Sequence, residues 1–598
     1  NTIRKSIMQE KQLTITEWLA IASEQIEKKN LIGARQIYSG VVRSIPDHKK
    51  AKPGLLAVTD ALDCDYFPIL PVESIEEVLE NFDRGTIAKC RLQLKELALQ
   101  YPCSALIQSF LGIFERNNDD MQASLTHFKE SYRLNSNEEN TKNYANLLIE
   151  MKAFPRASLV VDAFLKIHPN SLEILRLKAF ILTDTQAFAE AEETLQKAVS
   201  SNNQNAGLWE QYGILRLRQN NDKDAILFFD KCHALGLKSV DLFQNLTFAH
   251  AKCGNNKKAL LYCEKAIQLD ENNPQIRHAY SMALLKDEQF LLGWKEFEWR
   301  IVARDNVRFK HPSETKKWDG ITSLKGKTIL VYYEQGLGDT IQFSRYIIEL
   351  AKLDVKIYFC IQNVLRGLFE GIDFPATFVD QDDDSVAPDY SISLMSLPFA
   401  LLNYQETPLP QNFIFNFIKA DIVLVPVEKE ERESPFIGIC WRGSPSNKND
   451  IHRSMILEEL LPHLPSKAQF FNLQTSLTEE EENLLERHQI VNLAEGLSTF
   501  TGTAAICKRL DGVIAVDTSI CHLAGSLGIP TFLLLSLASD WRWGKSKDRT
   551  VWYDNMKLFK QTSRGEWNAP LKTLKETIEK DIISPFLARA DSGKFLGK

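Results

Sequence analysis

Five alanines, Ala123, Ala157, Ala191, Ala225 and Ala259, stand 34 residues apart, and this register constrains the fold more than any other feature of the chain. Other positions recur with them. Trp209, Tyr212 and Gly213 precede Ala225, Phe243 and Leu246 precede Ala259, and Leu195, Phe229 and Cys263 each follow their alanine by four residues. Pro169 lies twelve after Ala157, as Pro46 does after Ala34 in an N-terminal copy led by Trp18. Two antiparallel helices of about 12–14 residues with two short turns use about 34 residues, and a small residue is needed where the helices approach most closely. The register therefore predicts an all-α solenoid of helix pairs over residues 1–305. Its clear copies run from 105 to 274, Gly293 holds the small position of a last copy, and a non-repeat insertion interrupts it near 47–73. The concave face of such a stack is suited to peptide or protein segments. The alternative is that the array only stabilises the chain or joins copies of it into a homo-oligomer.

The rhythm changes after residue 305. Short β-branched and aromatic runs predict strands at 328–333, 355–360, 436–441, 469–473, 512–516 and 531–535, with helices at 340–352, 498–510, 520–527 and 571–580 between them. Alternation of this kind implies parallel sheets with crossover helices. Residues 306–326 read as a junction, 327–425 and 426–598 as two Rossmann-like lobes, and Pro408–Pro435 as the connection between them. The cleft shared by two such lobes is the expected place for a ligand.

Composition sets the outer limits. A chain of 598 residues with 44% apolar content is too long for a single core. Lys and Arg total 71 against 78 Asp and Glu, a net charge of −7, which argues against nucleic acid as the main partner. The ten cysteines form no C-x-x-C pair, as expected of reduced thiols in a cytoplasmic protein without a structural zinc. The longest apolar run, 531–538, falls far short of the roughly 20 residues of a membrane span. The N-terminus has no signal-peptide core, and its opening on Asn1 rather than Met reads as trimming.

Three segments could carry chemistry. Glu334-Gln335-Gly336-Leu337-Gly338-Asp339-Thr340 follows the first strand and opens a helix, where two glycines permit a tight turn and free amides suit an anion or a hydroxyl-rich ligand. Ile341 stands where a dinucleotide-binding G-x-G-x-x-G would have its third glycine, and Asp339 could equally be a plain helix cap. Arg442, Lys448 and Arg453 gather after the strand at 436–441, as a diphosphate would need or as a solvated basic loop would show. Asp517-Thr518-Ser519-Ile520-Cys521-His522 joins the strand at 512–516 to a helix start whose amides and hydroxyls favour phosphate. There the other readings are a capping Asp517 and a satisfied core histidine. Asp540-Trp541-Arg542-Trp543 and Trp552-Tyr553 either stack on a base or sugar or pack between lobes. No P-loop, H-E-x-x-H or G-x-S-x-G occurs, which removes the NTPase, zincin and α/β-hydrolase readings as first choices.

Taken in order, WDGITSLKGKTILVYYEQGLGDTIQFSRY (318–346), GICWRGSPSNKNDIHRS (438–454), FFNLQT (470–475), VIAVDTSICHLAGSLGIPTFLLL (513–535), DWRW (540–543) and WYDNMKLFKQTSRGEW (552–567) resemble bacterial tetratricopeptide-repeat proteins with a C-terminal glycosyltransferase domain. That domain is similar to the lipopolysaccharide heptosyltransferases of the GT-B fold, and GWKEFEWR (293–300) resembles the bridge such proteins carry. The resemblance implies a tetratricopeptide superhelix followed by a GT-B domain that moves a sugar from a nucleotide-sugar to a hydroxyl, without a metal or other cofactor. It implies that Asp339 is the general base. It assigns Asp517, Thr518, Ser519 and His522 to the donor, with Ser519 where a glycine is frequent, joined by Gly338, Arg442, Lys448, Arg453 and Gln474. The acceptor it implies is a protein, flagellin first, held by the repeats. The open alternatives are a non-catalytic adaptor with a decayed GT-B domain and transfer to a lipid-linked or surface glycan.

Overall fold

Helices of the size the register demands begin at Thr14, whose hydroxyl caps the Ile15–Glu27 helix in a computed structural model that describes residues 14–64, 70–83, 87–303, 315–381, 386–402, 432–443 and 450–591. The chain divides into two compact units, Asn1–Leu237 and Lys238–Lys598.

In the first unit antiparallel helix pairs follow one another, clearest at Ala105–Asn117 with Met121–Leu134, Glu138–Glu150 with Phe154–Ile167, Leu172–Asp184 with Phe188–Ser201, and Ala206–Arg218 with Asp222–Ala234. Ala157, Ala191 and Ala225 are fully buried at the helix crossings. In the Met121–Leu134 helix that place belongs to Ser124, whose hydroxyl donates to the Gly112 carbonyl at 2.8 Å, while Ala123 is half-buried. Gly213 packs directly on the Phe229 ring, so any side chain there would collide with the facing helix. Most starts are capped by a side chain, as Ser104, Asp120, Asn137, Ser171, Asn205 and Asn221 each accept an amide of the first turn. Asp119, Lys152, Gln186 and Asn220 turn one helix into the next with φ between 56° and 63°, a repeat of strained turns that the alanine register did not disclose. Where the register breaks, helices Ala51–Cys64 and Val72–Asp83 are present.

The second unit opens with two more helix pairs, Val240–Lys252 with Asn256–Leu269 and Pro274–Lys286 with Phe290–Phe297, and the short Arg300–Ala303 helix. Ten strands follow among the described residues: β1 (Thr328–Tyr332), β2 (Lys356–Cys360), β3 (Thr377–Val379), β4 (Tyr390–Ser393), β5 (Phe436–Cys440), β6 (Gln469–Asn472), β7 (Val491–Asn492), β8 (Gly512–Val516), β9 (Thr531–Leu535) and β10 (Met556–Lys560). All pair in parallel, in a four-stranded sheet of order β3-β2-β1-β4 and a six-stranded sheet of order β10-β9-β8-β5-β6-β7. Counted from its own first strand, the second sheet has the 3-2-1-4-5-6 order of a doubly wound dinucleotide-binding sheet, and the first has the 3-2-1-4 part of it. Most of the proposed connection at 408–435 lies outside the described residues.

The bridge segment GWKEFEWR belongs to the core of the α/β region. Trp294, 1% exposed, sets its ring edge-on to Phe343, Trp541 and Trp552, and Phe297 packs on Trp541. Arg300 is fully buried. Its guanidinium donates to both carboxylate oxygens of Glu334, to Glu298, to the Ser396 hydroxyl and to the Phe297 carbonyl, at 2.6–3.1 Å. A charge so far from water persists only with full pairing, and here two carboxylates and two neutral oxygens supply it.

Candidate functional site

In open parallel sheets a ligand crevice forms beyond the strand ends where the order reverses, between the first and fourth strands of each fold. In the six-stranded sheet that point lies between β5 and β8. β5 delivers Cys440-Trp441-Arg442-Gly443 and β8 delivers Asp517-Thr518, and the Cys440 thiol lies 3.9 Å from the Thr518 hydroxyl. In the four-stranded sheet the corresponding strand β1 delivers Glu334-Gln335-Gly336 and the Leu337–Phe343 helix.

These two turns meet. A Cβ added to Gly338 would lie 2.8 Å from Cδ2 of His522 and 3.4 Å from Cα of Ser519, so only glycine lets the start of the Leu337–Phe343 helix reach the Ser519–Ser526 helix this closely. Of the candidate residues, Gly338, Asp339, Asp517, Thr518, Ser519 and His522 thus gather in one place, with Arg453 beside them. The Arg453 guanidinium donates to the Asp517 carbonyl at 2.7 Å and to Asp450 at 3.0 Å.

Asp339 is both a cap and a charge partner. Its Oδ2 accepts the Gly336 amide at 2.8 Å, and its Oδ1 accepts from Arg542, which also donates to Asp540 at 2.8 Å and to the Gln342 side chain at 2.9 Å. Burial raises the Asp339 carboxyl above its ordinary range against the opposing pull of Arg542. Asp517 is pushed up to about 6 by burial and by neighbouring Asp540. His522 is 4% exposed, with its ring stacked on Trp543 and its Nδ1 3.0 Å from the Tyr553 hydroxyl. Burial, then Arg542 and Arg345, holds its pKa well below the usual range, so it is a neutral wall of the crevice.

Two further donor candidates, like Arg453, have partners of their own. Arg442 forms a two-pronged pair with Glu481, both bonds 2.8 Å, and donates to the Ser476 carbonyl. Burial works against the Glu481 charge, but hydrogen bonds from Arg442, the Thr478 amide and the Trp441 indole hold its pKa at about 2. Gln474 is buried and accepts the Arg442 amide at 3.3 Å, tying the end of β6 to the end of β5. Lys448 lies outside the described residues. Trp541 and Trp543 are 6% and 0% exposed, so they act in packing, the second of the two roles open to them.

The crevice can hold an anion more readily than a cation. The Ser519–Ser526 helix start has no side-chain cap, and Thr518 and Ser519 are half-exposed beside it. Ligand atoms of Asp517, Cys521 and His522 lie within 4.8 Å of one another. Cys521 already donates to the Thr518 carbonyl, His522 faces Tyr553, and the positive helix end with Arg453 and Arg542 opposes a metal ion. Glu481 and Arg300 were missed in the sequence, and the pairing of Arg542 with Asp339, of Tyr553 with His522 and of Arg300 with Glu334 was not legible there, because each partner is remote in the chain.

Among the described residues no helix is long and apolar enough to cross a membrane. No protein-family profile matches the chain. Protein FlbA of Caulobacter vibrioides is 26% identical over 434 residues, 67% of this chain and 71% of FlbA. The human mitochondrial import receptor subunit TOM70 is 25% identical over 214 residues, covering 35% of this chain and 29% of the receptor. Among solved structures, a tetratricopeptide repeat protein from Parabacteroides merdae is similar at 17% identity and a TM-score of 0.34, over 39% of this chain and 93% of that one. The repeated antiparallel helix pairs of this chain agree with the 34-residue register read from its sequence.

Proposed function

We propose that the protein is a GT-B-type glycosyltransferase that moves a sugar from a nucleotide-sugar to a hydroxyl of a protein acceptor held by the repeats. One observation carries the reading: the starts of the Leu337–Phe343 and Ser519–Ser526 helices meet across the strand ends of two parallel sheets, with Gly338 against Ser519 and His522. Two doubly wound lobes sharing such a crevice suit a nucleotide on the second lobe and an acceptor on the first. The acceptor oxygen forms its bond to the anomeric carbon as the bond from that carbon to the diphosphate breaks, and Asp339 takes the acceptor proton. The uncapped Ser519–Ser526 start, Thr518, Ser519 and Arg453 stabilise the departing diphosphate. Arg442 serves the site by holding the end of β5 through Glu481. Nucleotide-sugars place the reaction in the cytoplasm, and flagellin is the acceptor to test first.

A second reading is an adaptor without catalysis. What favours it is that Asp339 and Arg442 are each already paired. Titration calorimetry of the full chain with UDP, GDP, ADP and CDP separates the two. Binding of one nucleotide, weakened by Ser519→Pro, supports the transferase, and binding of none supports the adaptor. Intact mass of flagellin coexpressed with wild type or Asp339→Asn then tests transfer, with added sugar mass expected only with wild type.

A further inference from the structure

Each of the three side-chain nitrogens of Arg542 already has a partner. Nε donates to Gln342, Nη1 to Asp540 and Nη2 to Asp339, and the guanidinium lies 4.4 Å from the centre of the Trp541 ring. It stands after β9 of the second sheet, yet two of its three partners belong to the Leu337–Phe343 helix of the first. Its own segment is fastened from a third direction. Lys286, at the end of the Pro274–Lys286 helix, donates to the Ser539 carbonyl, and Lys545 donates to the Asp287 carbonyl at 2.9 Å. The Lys560 ammonium gathers the carbonyls of Trp543, Gly544 and Ser546 at 2.7–3.2 Å, and Trp294 of the last helix pair sits edge-on to Trp541.

We infer that Arg542 is a positioning residue for Asp339, and that the last helix pair of the solenoid fixes Arg542 in turn, so that this pair is a working part of the site. The inference rests on the reading of Asp339 as the base. A buried carboxylate aimed across a cleft needs a counter-charge to stay ionised and a rigid partner to stay in place. Arg542 supplies both. The other charged groups acting on Asp339 are Asp540 and Glu334, which oppose its ionisation; His522 against Gly338 is neutral.

The test uses the full chain labelled with carboxyl-13C aspartate, the Asp339 signal being identified by its loss in Asp339→Asn. Arg542→Met is expected to raise the Asp339 titration midpoint by about one pH unit or more, a tenfold change in its acid constant, whereas Arg542→Lys keeps it within about half a unit. Lys286→Met is expected to move it in the same direction by less. An unchanged midpoint in Arg542→Met overturns the inference. Should that variant fail to fold, Arg542→Gln, which keeps an N–H donor but no charge, gives the same reading. In a transfer assay, Arg542→Met should lower kcat about a hundredfold, with the acid limb of its pH profile moved upward and the nucleotide affinity within about threefold. Transfer by Asp339→Asn equal to wild type would remove the base assignment while leaving the titration result in place, so the two failures are distinct.

Discussion

In the first sheet β1 runs into Gly336 and the Leu337–Phe343 helix; in the second, β8 runs into Thr518 and the Ser519–Ser526 helix. Both are buried parallel strands ending in a tight turn, and the two helix starts touch at Gly338. They are finished differently. The first start is closed by its own chain, since Asp339 accepts the Gly336 amide and is held by Arg542, while Glu334 just before it is held by Arg300. The amides of the second donate no capping bond to the Thr518 hydroxyl, and stacking secures it through His522, Trp543 and Tyr553. Paired charge fixes one turn in place and leaves no group over. The open turn keeps amides that an anion can reach.

The largest effect should come from removing the charge that holds the closed turn. Arg300→Met strands the buried Glu334 without its cation, while Glu298 keeps Lys317, and should cost about 3–5 kcal/mol in denaturant unfolding. A loss below about 1 kcal/mol would mean that the pair does not anchor this turn. Next comes the contact between the turns. Gly338→Ala puts a methyl group against a histidine ring that stacking and a hydrogen bond hold in place, and should cost about 1–3 kcal/mol while lowering nucleotide affinity. Unchanged stability and affinity would show that the two starts are free to separate.

The open turn has its own pH signature. The folded-state pKa of Asp517, about 6, lies above the ordinary carboxylate value, so its contribution to stability is full below pH ~4 and is lost as pH rises through about 6. Asp517→Asn should therefore exceed wild type in stability by on the order of 1 kcal/mol at pH 7.5, with the gap closing by pH 4. A gap that stays constant over that range would place the raised pKa elsewhere.

The same contrast explains what could be read from the chain alone. Predicted strands at 328–333, 355–360, 436–441, 469–473, 512–516 and 531–535 correspond to β1, β2, β5, β6, β8 and β9, the strands with a neighbour on each side. Interior parallel strands are apolar on both faces and announce themselves as continuous runs. The four that escaped, β3, β4, β7 and β10, are all sheet edges, short or broken by polar residues such as Lys557. The solenoid was legible because its signal is local and repeated. At the crevice the residue types on each turn were legible and their pairing was not. Nothing in the spacing of Arg442 discloses Glu481 39 positions on, nor does Asp339 disclose Arg542 203 positions away. A cation near a strand end reads as available for phosphate until its carboxylate is located.

The smallest effect on stability is the most informative about the open turn. Thr518 has the position and backbone of a helix cap, φ −140° and ψ 172°, yet its hydroxyl accepts no amide of the first turn. In the solenoid the capping side chains of Asn221 and Ser171 do accept one, and their replacement by alanine should cost about 1 kcal/mol each. Thr518→Ala, at a helix start of the same kind, should change stability by less than about 0.5 kcal/mol, because no capping bond is lost and the contact with the Cys440 thiol, at 3.9 Å, is weak. Its effect should appear with the ligand. If the hydroxyl is kept free for a phosphate oxygen, the variant should bind the preferred nucleotide diphosphate about tenfold more weakly, as loss of one hydrogen bond to a charged group implies. A stability loss equal to that of Asn221→Ala, with affinity unchanged, would make Thr518 an ordinary cap and reduce the difference between the two turns to one of partners alone.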